Sequence, residues 1–288
     1  QLNKPLIMMP TPGYQIYEGA ALLAGAQPYY LPCVAAQDFL PDLDAIPAQD
    51  WQRCQIFYLC SPGNPTGAVA PLAYLQKLIS LAQRYDFVIA SDECYSELYA
   101  DEQQPPVGIL QAAHMMGIAQ FERCVAFHSL SKRSNCPGLR SGFVAGDANL
   151  LKGFLQYRTY HGCAMPVPVQ HASVAAWQDE THVLENRDLY RAKFAAVSAI
   201  WGQQVSHRVP MASFYLWLAV AGDERVLTQQ LYSQANIQVL PGRYLSRPVR
   251  QANGDMLDAG AGFLRISLVA DVESCKIAAC RILSVAHP

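Results

Sequence analysis

The apolar run Gln55-Ile56-Phe57-Tyr58-Leu59-Cys60 stops at Ser61-Pro62-Gly63-Asn64-Pro65-Thr66-Gly67, a dense cluster of turn residues. Apolar residues in unbroken succession, without polar alternation, are what a strand covered on both faces requires. Beyond the turn lies an amphipathic helical pattern, with Pro71 near its first turn and Leu72, Leu75, Leu78, Ile79, Ala82 and Tyr85 on one face. A second short strand, Phe87-Val88-Ile89-Ala90, then ends in Ser91-Asp92-Glu93. The same grammar recurs at Leu6 to Met9, Pro28 to Val34, Cys124 to His128 and Phe143 to Ala145, with a helix over Tyr17 to Ala24 and a connecting segment over Gln37 to Asp50. Strands alternating with helices predict an α/β fold: a three-layer α/β/α domain around a mainly parallel sheet.

Helical patterns fill Ala148 to about Val205, and the final third changes character. Strand-like Phe214 to Val220, a helix from Asp223, strands at Ile237 to Leu240 and Phe263 to Ser267, and a last helix from Val272 read as a smaller α+β domain. The expected division is a large domain over 1–185 and a small C-terminal domain over 186–288, hinged on the helix near 182–205.

Composition removes several function classes. At 51% hydrophobic and 15% charged residues the chain is a well-buried globular protein, and a net charge of -2 offers no electrostatic footprint for nucleic acid or an anionic membrane. No apolar run approaches the roughly 18 residues a membrane span needs. The nine cysteines contain no C-x-x-C pair, which fits reduced thiols in the cytoplasm and neither a disulfide framework nor a metal site. The chain starts at Gln1 and enters an apolar strand almost at once, and it reads as one whose N-terminal part lies upstream of the given sequence.

In open α/β sheets, ligands sit at the carboxyl ends of the strands. Tyr14, Asn64, Asp92 with Tyr95, and Lys132 all fall there. Each has an ordinary structural account taken alone: a turn asparagine, a capping aspartate, half-buried tyrosines, a surface lysine among helix-capping serines. Together they match the needs of one cofactor, pyridoxal 5'-phosphate. Its aldehyde needs an amine, and Lys132 in Ser129-Leu130-Ser131-Lys132 offers one. Its pyridine nitrogen needs a carboxylate, for which Asp92 is placed. Its phenolic oxygen needs donors, which Asn64 and Tyr95 provide, and its ring face needs an aromatic partner, Tyr14. Its phosphate needs hydroxyls and a guanidinium, which Ser129 and Arg140 supply; Ser131 is a further hydroxyl.

Ser61-Pro-Gly-Asn64-Pro-Thr-Gly67, Asp92-x-x-Tyr95 and Ser129-x-Ser-Lys132 with Arg140 resemble the class I/II aminotransferases of fold type I, and the interval of 28 positions between Asn64 and Asp92 agrees. The resemblance runs from Tyr14 to the end of the chain. It implies that Lys132 holds the cofactor through an imine and then carries the proton between substrate Cα and cofactor C4′. It also implies that Arg265, in Phe263-Leu264-Arg265-Ile266-Ser267, binds the substrate α-carboxylate, and that the protein is a homodimer. A phosphate-binding helix N-terminus and a cross-subunit tyrosine, which the family places further upstream, are not visible here.

Within that family the likeness is to succinyldiaminopimelate aminotransferases of bacterial lysine biosynthesis, carried by His128 to Asp147 and by Gln156-Tyr-Arg158-Thr-Tyr160-His161-Gly-Cys-Ala-Met165-Pro. This implies exchange of an amino group between glutamate and N-succinyl-2-amino-6-ketopimelate, with Arg158, Tyr160 and His161 suited to a distal carboxylate or succinyl amide. Two alternatives stay open: an aspartate or aromatic aminotransferase or β-lyase of the same fold, and an aminotransferase-like sensor domain of a transcriptional regulator.

Overall fold

The computed structural model of the chain describes residues 4–251 and 253–286; Gln1 lies outside them. Strand β1 (Leu6–Thr11) leads through helix α1 (Ile16–Leu23) to β2 (Gln27–Pro32). A short helix α2 (Ala48–Trp51) precedes β3 (Cys54–Cys60), followed by α3 (Leu72–Tyr85) and β4 (Val88–Asp92). Helix α4 (Ile109–Met115) precedes β5 (Cys124–Ser129), which runs directly into the single-turn helix α5 (Leu130–Arg133) and then β6 (Gly142–Gly146). The strands form one six-stranded sheet in the order β2-β1-β3-β4-β5-β6. All neighbours are parallel except β6, which runs antiparallel to β5 in register from Val125↔Gly146 to Ser129↔Gly142.

The apolar runs behave as strands with two covered faces. On one side of the sheet Leu6, Met8, Phe57, Leu59 and Ile89 share a core with Leu75, Leu78 and Ile79 of α3. On the other, Ile7, Met9 and Cys60 pack with Tyr17 and Ala21 of α1. Successive residues of β1 thus point into different cores, and burial of each large apolar side chain contributes about 1.5–3 kcal/mol.

The helical stretch after β6 is three helices: α6 (Ala148–His161), α7 (Val167–Gln178) and α8 (Thr181–Trp201). Asp147 caps α6 by accepting from the N–H groups of Asn149 and Leu150. Beyond them a small antiparallel sheet, order β7-β11-β8, is built from β7 (Tyr215–Ala219), β8 (Leu240–Pro241) and β11 (Phe263–Ser267). Of the strand expected over Ile237 to Leu240 only Leu240 joins the ladder, opposite Arg265, and the Ile237 N–H donates to Leu231 O at 3.0 Å instead. Helices α9 (Glu224–Ala235) and α10 (Val272–Ala286) cover this sheet together with α8. A minimal hairpin of β9 (Val249–Arg250) and β10 (Met256–Leu257) lies beside β2. The 185/186 boundary falls inside α8, whose Phe194, Val197 and Trp201 pack in the core of the small sheet and whose Tyr190 packs with Tyr95 and Leu98. Among the described residues no helix is long and apolar enough to cross a membrane, and the cysteines are free thiols.

Candidate functional site

Strand register brings the chemistry together. Cys60 pairs with Asp92, and Asp92 with Phe127, so β3, β4 and β5 end side by side. The loop carrying Asn64, the Asp92-to-Tyr95 turn and the Lys132 helix therefore leave the sheet at one edge.

The Asn64 loop is held by its own backbone: Gly67 N–H donates to Gly63 O and Gly63 N–H to Ala68 O, each at 2.8 Å. Gly67 adopts φ +69°, and a Cβ there would stand 2.6 Å from Pro210 Cβ, so both conformation and close packing require glycine. Buried Asn64 accepts at Oδ1 a hydrogen bond of 2.9 Å from Arg265 Nη1, while Arg265 Nε is buried without a partner. The Arg265 guanidinium also lies over the ring of Tyr215 at 4.6 Å.

Asp92 is gripped on both oxygens. Oδ2 accepts from the Tyr17 hydroxyl at 2.6 Å and Oδ1 from the Cys94 N–H at 3.2 Å. Burial, with Cys60 and the Asp92 carboxylate close by, pushes the Tyr17 phenol well above its ordinary value, so it stays a donor. Tyr17 is stacked on Tyr58 at 4.5 Å and touched edge-on by Tyr14 at 5.7 Å. Tyr14 itself is exposed.

Ser129 caps α5, its Oγ accepting from Ser131 N–H at 3.1 Å and donating to Ser131 Oγ at 2.9 Å or to Ser141 O at 3.3 Å. Lys132 is half-buried, with Nζ 5.8 Å from the centre of the Tyr95 ring and 5.6 Å from that of Phe214. The Tyr95 and Tyr215 hydroxyls share a 3.0 Å hydrogen bond, and burial first, then Tyr215, pushes the Tyr95 phenol upward.

The one-turn helix needs outside support, being too short to hold itself. Asn186 of α8 donates to the carbonyls of Lys132 and Arg133 at 3.1 and 3.3 Å. Arg133 donates to Ala176 O at 2.8 Å, pairs with Glu180 and lies over the Trp177 ring.

Arg140 has φ +51°, and its exposed guanidinium donates to Pro137 O at 3.0 Å, while the carbonyl of its neighbour Ser141 accepts from the Ser129 hydroxyl at 3.3 Å. Arg158, Tyr160 and His161 lie on the exposed end of α6: Arg158 donates to Cys163 O, Tyr160 is 82% exposed, and His161 stacks on Tyr157. Sequence reasoning missed Tyr17, Tyr215 and Asn186. Only Tyr17 had a signal, its three-residue spacing from Tyr14 at a strand end.

The family model of aminotransferase class I and II matches residues 2–282. The chain belongs to that family. Aminotransferases of this class use pyridoxal phosphate, and the residues at the sheet edge fit it: a gripped carboxylate, an amine beside aromatic rings and two adjacent serine hydroxyls. An LL-diaminopimelate aminotransferase of Nitratidesulfovibrio vulgaris (strain DSM 19637 / Miyazaki F) is 32% identical over 285 residues, covering 97% of this chain and 69% of the relative. The structure of an aminotransferase from Neisseria meningitidis superposes with a TM-score of 0.90 at 50% identity, covering 99% of this chain and 70% of that one. That of a probable N-succinyldiaminopimelate aminotransferase from Thermus thermophilus gives 0.84 at 27% identity, covering 99% and 73%.

Proposed function

We propose that this aminotransferase exchanges an amino group between glutamate and N-succinyl-2-amino-6-ketopimelate, yielding 2-oxoglutarate and N-succinyl-diaminopimelate. The observation that carries the reading is the convergence of Asn64, Asp92, Tyr95 and Lys132 at one sheet edge, with Arg265 reaching them from the small sheet. Bound pyridoxal phosphate supplies an electron sink that makes the substrate Cα–H acidic.

The chain's own groups divide the remaining work. Lys132 anchors the cofactor and moves the proton at Cα. Asp92, fixed by Tyr17 and the Cys94 N–H, would accept from the pyridine nitrogen. Asn64 and Tyr95 donate to the phenolic oxygen, Tyr14 covers the ring face, and Ser129, with Ser131 and Arg140, takes the phosphate. Arg265 receives the α-carboxylate common to both substrates, its guanidinium seated for this by Asn64 Oδ1 and the Tyr215 ring. The diaminopimelate skeleton is supported by the sequence likeness and by the names of the relatives, with Arg158, Tyr160 and His161 assigned to the distal group.

The test is transamination from glutamate across a panel of keto acids, with Lys132→Ala as control. N-succinyl-2-amino-6-ketopimelate should be the preferred acceptor. The cofactor's visible absorption should disappear in the variant. A preference for oxaloacetate or phenylpyruvate would replace the substrate assignment, and unchanged absorption in the variant would refute the anchor.

A further inference from the structure

We infer that Tyr215 is a positioning residue of this site, aiming the Tyr95 proton at the cofactor and seating the Arg265 guanidinium. This rests on the roles proposed above for Tyr95 and Arg265. Two contacts carry it: the 3.0 Å bond between the Tyr95 and Tyr215 hydroxyls, and the Tyr215 ring 4.6 Å beneath the Arg265 guanidinium. One side chain of the small sheet thus touches a cofactor ligand with its tip and the substrate arginine with its face.

The direction of the hydroxyl bond follows from counting protons. A phenol has one proton and can accept at its oxygen. If Tyr95 spends its proton on the cofactor's phenolic oxygen, its own oxygen is left as an acceptor, and the Tyr215 proton fills it. Donation into Tyr95 polarises that hydroxyl and strengthens its outgoing bond. The partner is well fixed. Tyr215 N–H donates to Ser213 Oγ at 3.0 Å, and Ser213 N–H donates to Leu98 O at 2.9 Å. Leu98 N–H in turn donates to Tyr95 O at 3.0 Å, so the two tyrosines are tied through backbone as well as through side chains. Phe214 packs against the Tyr95 ring at 5.5 Å and closes the other side.

Tyr215→Phe removes the hydroxyl and keeps the ring, whereas Tyr215→Leu removes both. In cofactor-loaded protein, the pH midpoint of the visible absorption should rise by about 0.3–1 unit in Tyr215→Phe, because a weaker Tyr95 donor stabilises the charged phenolic oxygen less and the cofactor holds its proton to higher pH. Affinity for succinate, an unreactive dicarboxylate, should stay within about twofold in that variant and fall by roughly three- to tenfold in Tyr215→Leu, where the cation–π seat is gone. Adding Tyr215→Phe to Tyr95→Phe should shift the midpoint no further than Tyr95→Phe alone, since Tyr215 acts through Tyr95. An unchanged midpoint in Tyr215→Phe, or shifts that add in the double variant, would overturn the inference while leaving the aminotransferase reading intact. Wild-type protein that takes up no colour with pyridoxal phosphate would instead overturn the reading on which it rests.

Discussion

Arg265 and Asn64 lie 201 positions apart in the chain and meet at 2.9 Å, Nη1 donating to Oδ1. The bond joins the small sheet to the loop at the end of β3. It also leaves Arg265 half-satisfied, with Nε buried and unused. Arg265→Ala should raise KM for amino and keto acids alike by about 10- to 100-fold, the loss of one or two charge-assisted hydrogen bonds. Steady-state kinetics with both substrate partners checks this, and an effect confined to one partner contradicts a shared carboxylate clamp.

Tyr17 is the donor to Asp92 Oδ2, and Tyr17→Phe leaves that carboxylate with the Cys94 N–H alone. A hydrogen bond to a charged group contributes about 1.5–3 kcal/mol. The variant should melt a few degrees lower and hold pyridoxal phosphate several-fold less tightly. Thermal denaturation and equilibrium dialysis read the two effects separately.

Gly67→Ala meets two obstacles at once, φ +69° and Pro210 Cβ at 2.6 Å. The expected cost is about 2–4 kcal/mol, combining left-handed strain with overpacking. Because the same loop holds Asn64, cofactor affinity should fall together with stability in denaturant titrations.

Glu224 is fully buried, with Oε1 2.8 Å from Arg243 Nε and Oε2 2.9 Å from the Gly262 N–H. Burial raises its carboxyl, but the bonds from Arg243 and Gly262 outweigh burial and hold it below its ordinary value of 4.5. A depressed folded value means that the stability it contributes is present in full above pH 4.5 and is lost as pH falls through the folded value. Glu224→Gln should therefore be less stable than wild type by about 1–3 kcal/mol at pH 7. That gap should narrow as pH drops below 4.5, read by urea unfolding at a series of pH values.

Asn64, Asp92 and Lys132 were legible in the sequence because each lies at the end of a strand or a few residues beyond it, and strand ends are marked by abrupt apolar-to-turn transitions. The alternation that predicted the parallel sheet was legible for the same reason. Tyr17 was visible only as the first residue of a helix face, since its partner lies 75 positions away. Tyr215 was hidden inside a strand whose apolar neighbours explain themselves by burial, and Asn186 inside a helix of mixed polarity. Arg140 was legible as a motif position, whereas its left-handed backbone and its bond to Pro137 O were not.

Helix α8 fastens Lys132 and Arg133 through Asn186 near its start, and near its end Trp201 donates into α10 at Ala279 O. Its 21 residues make a rod of about 31 Å with one end in each half of the molecule. A tilt of the small sheet is therefore also a tilt of the shelf on which Lys132 stands. A substitution that displaces one end of this rod is passed on to the other, which couples the footing of Lys132 to the small sheet.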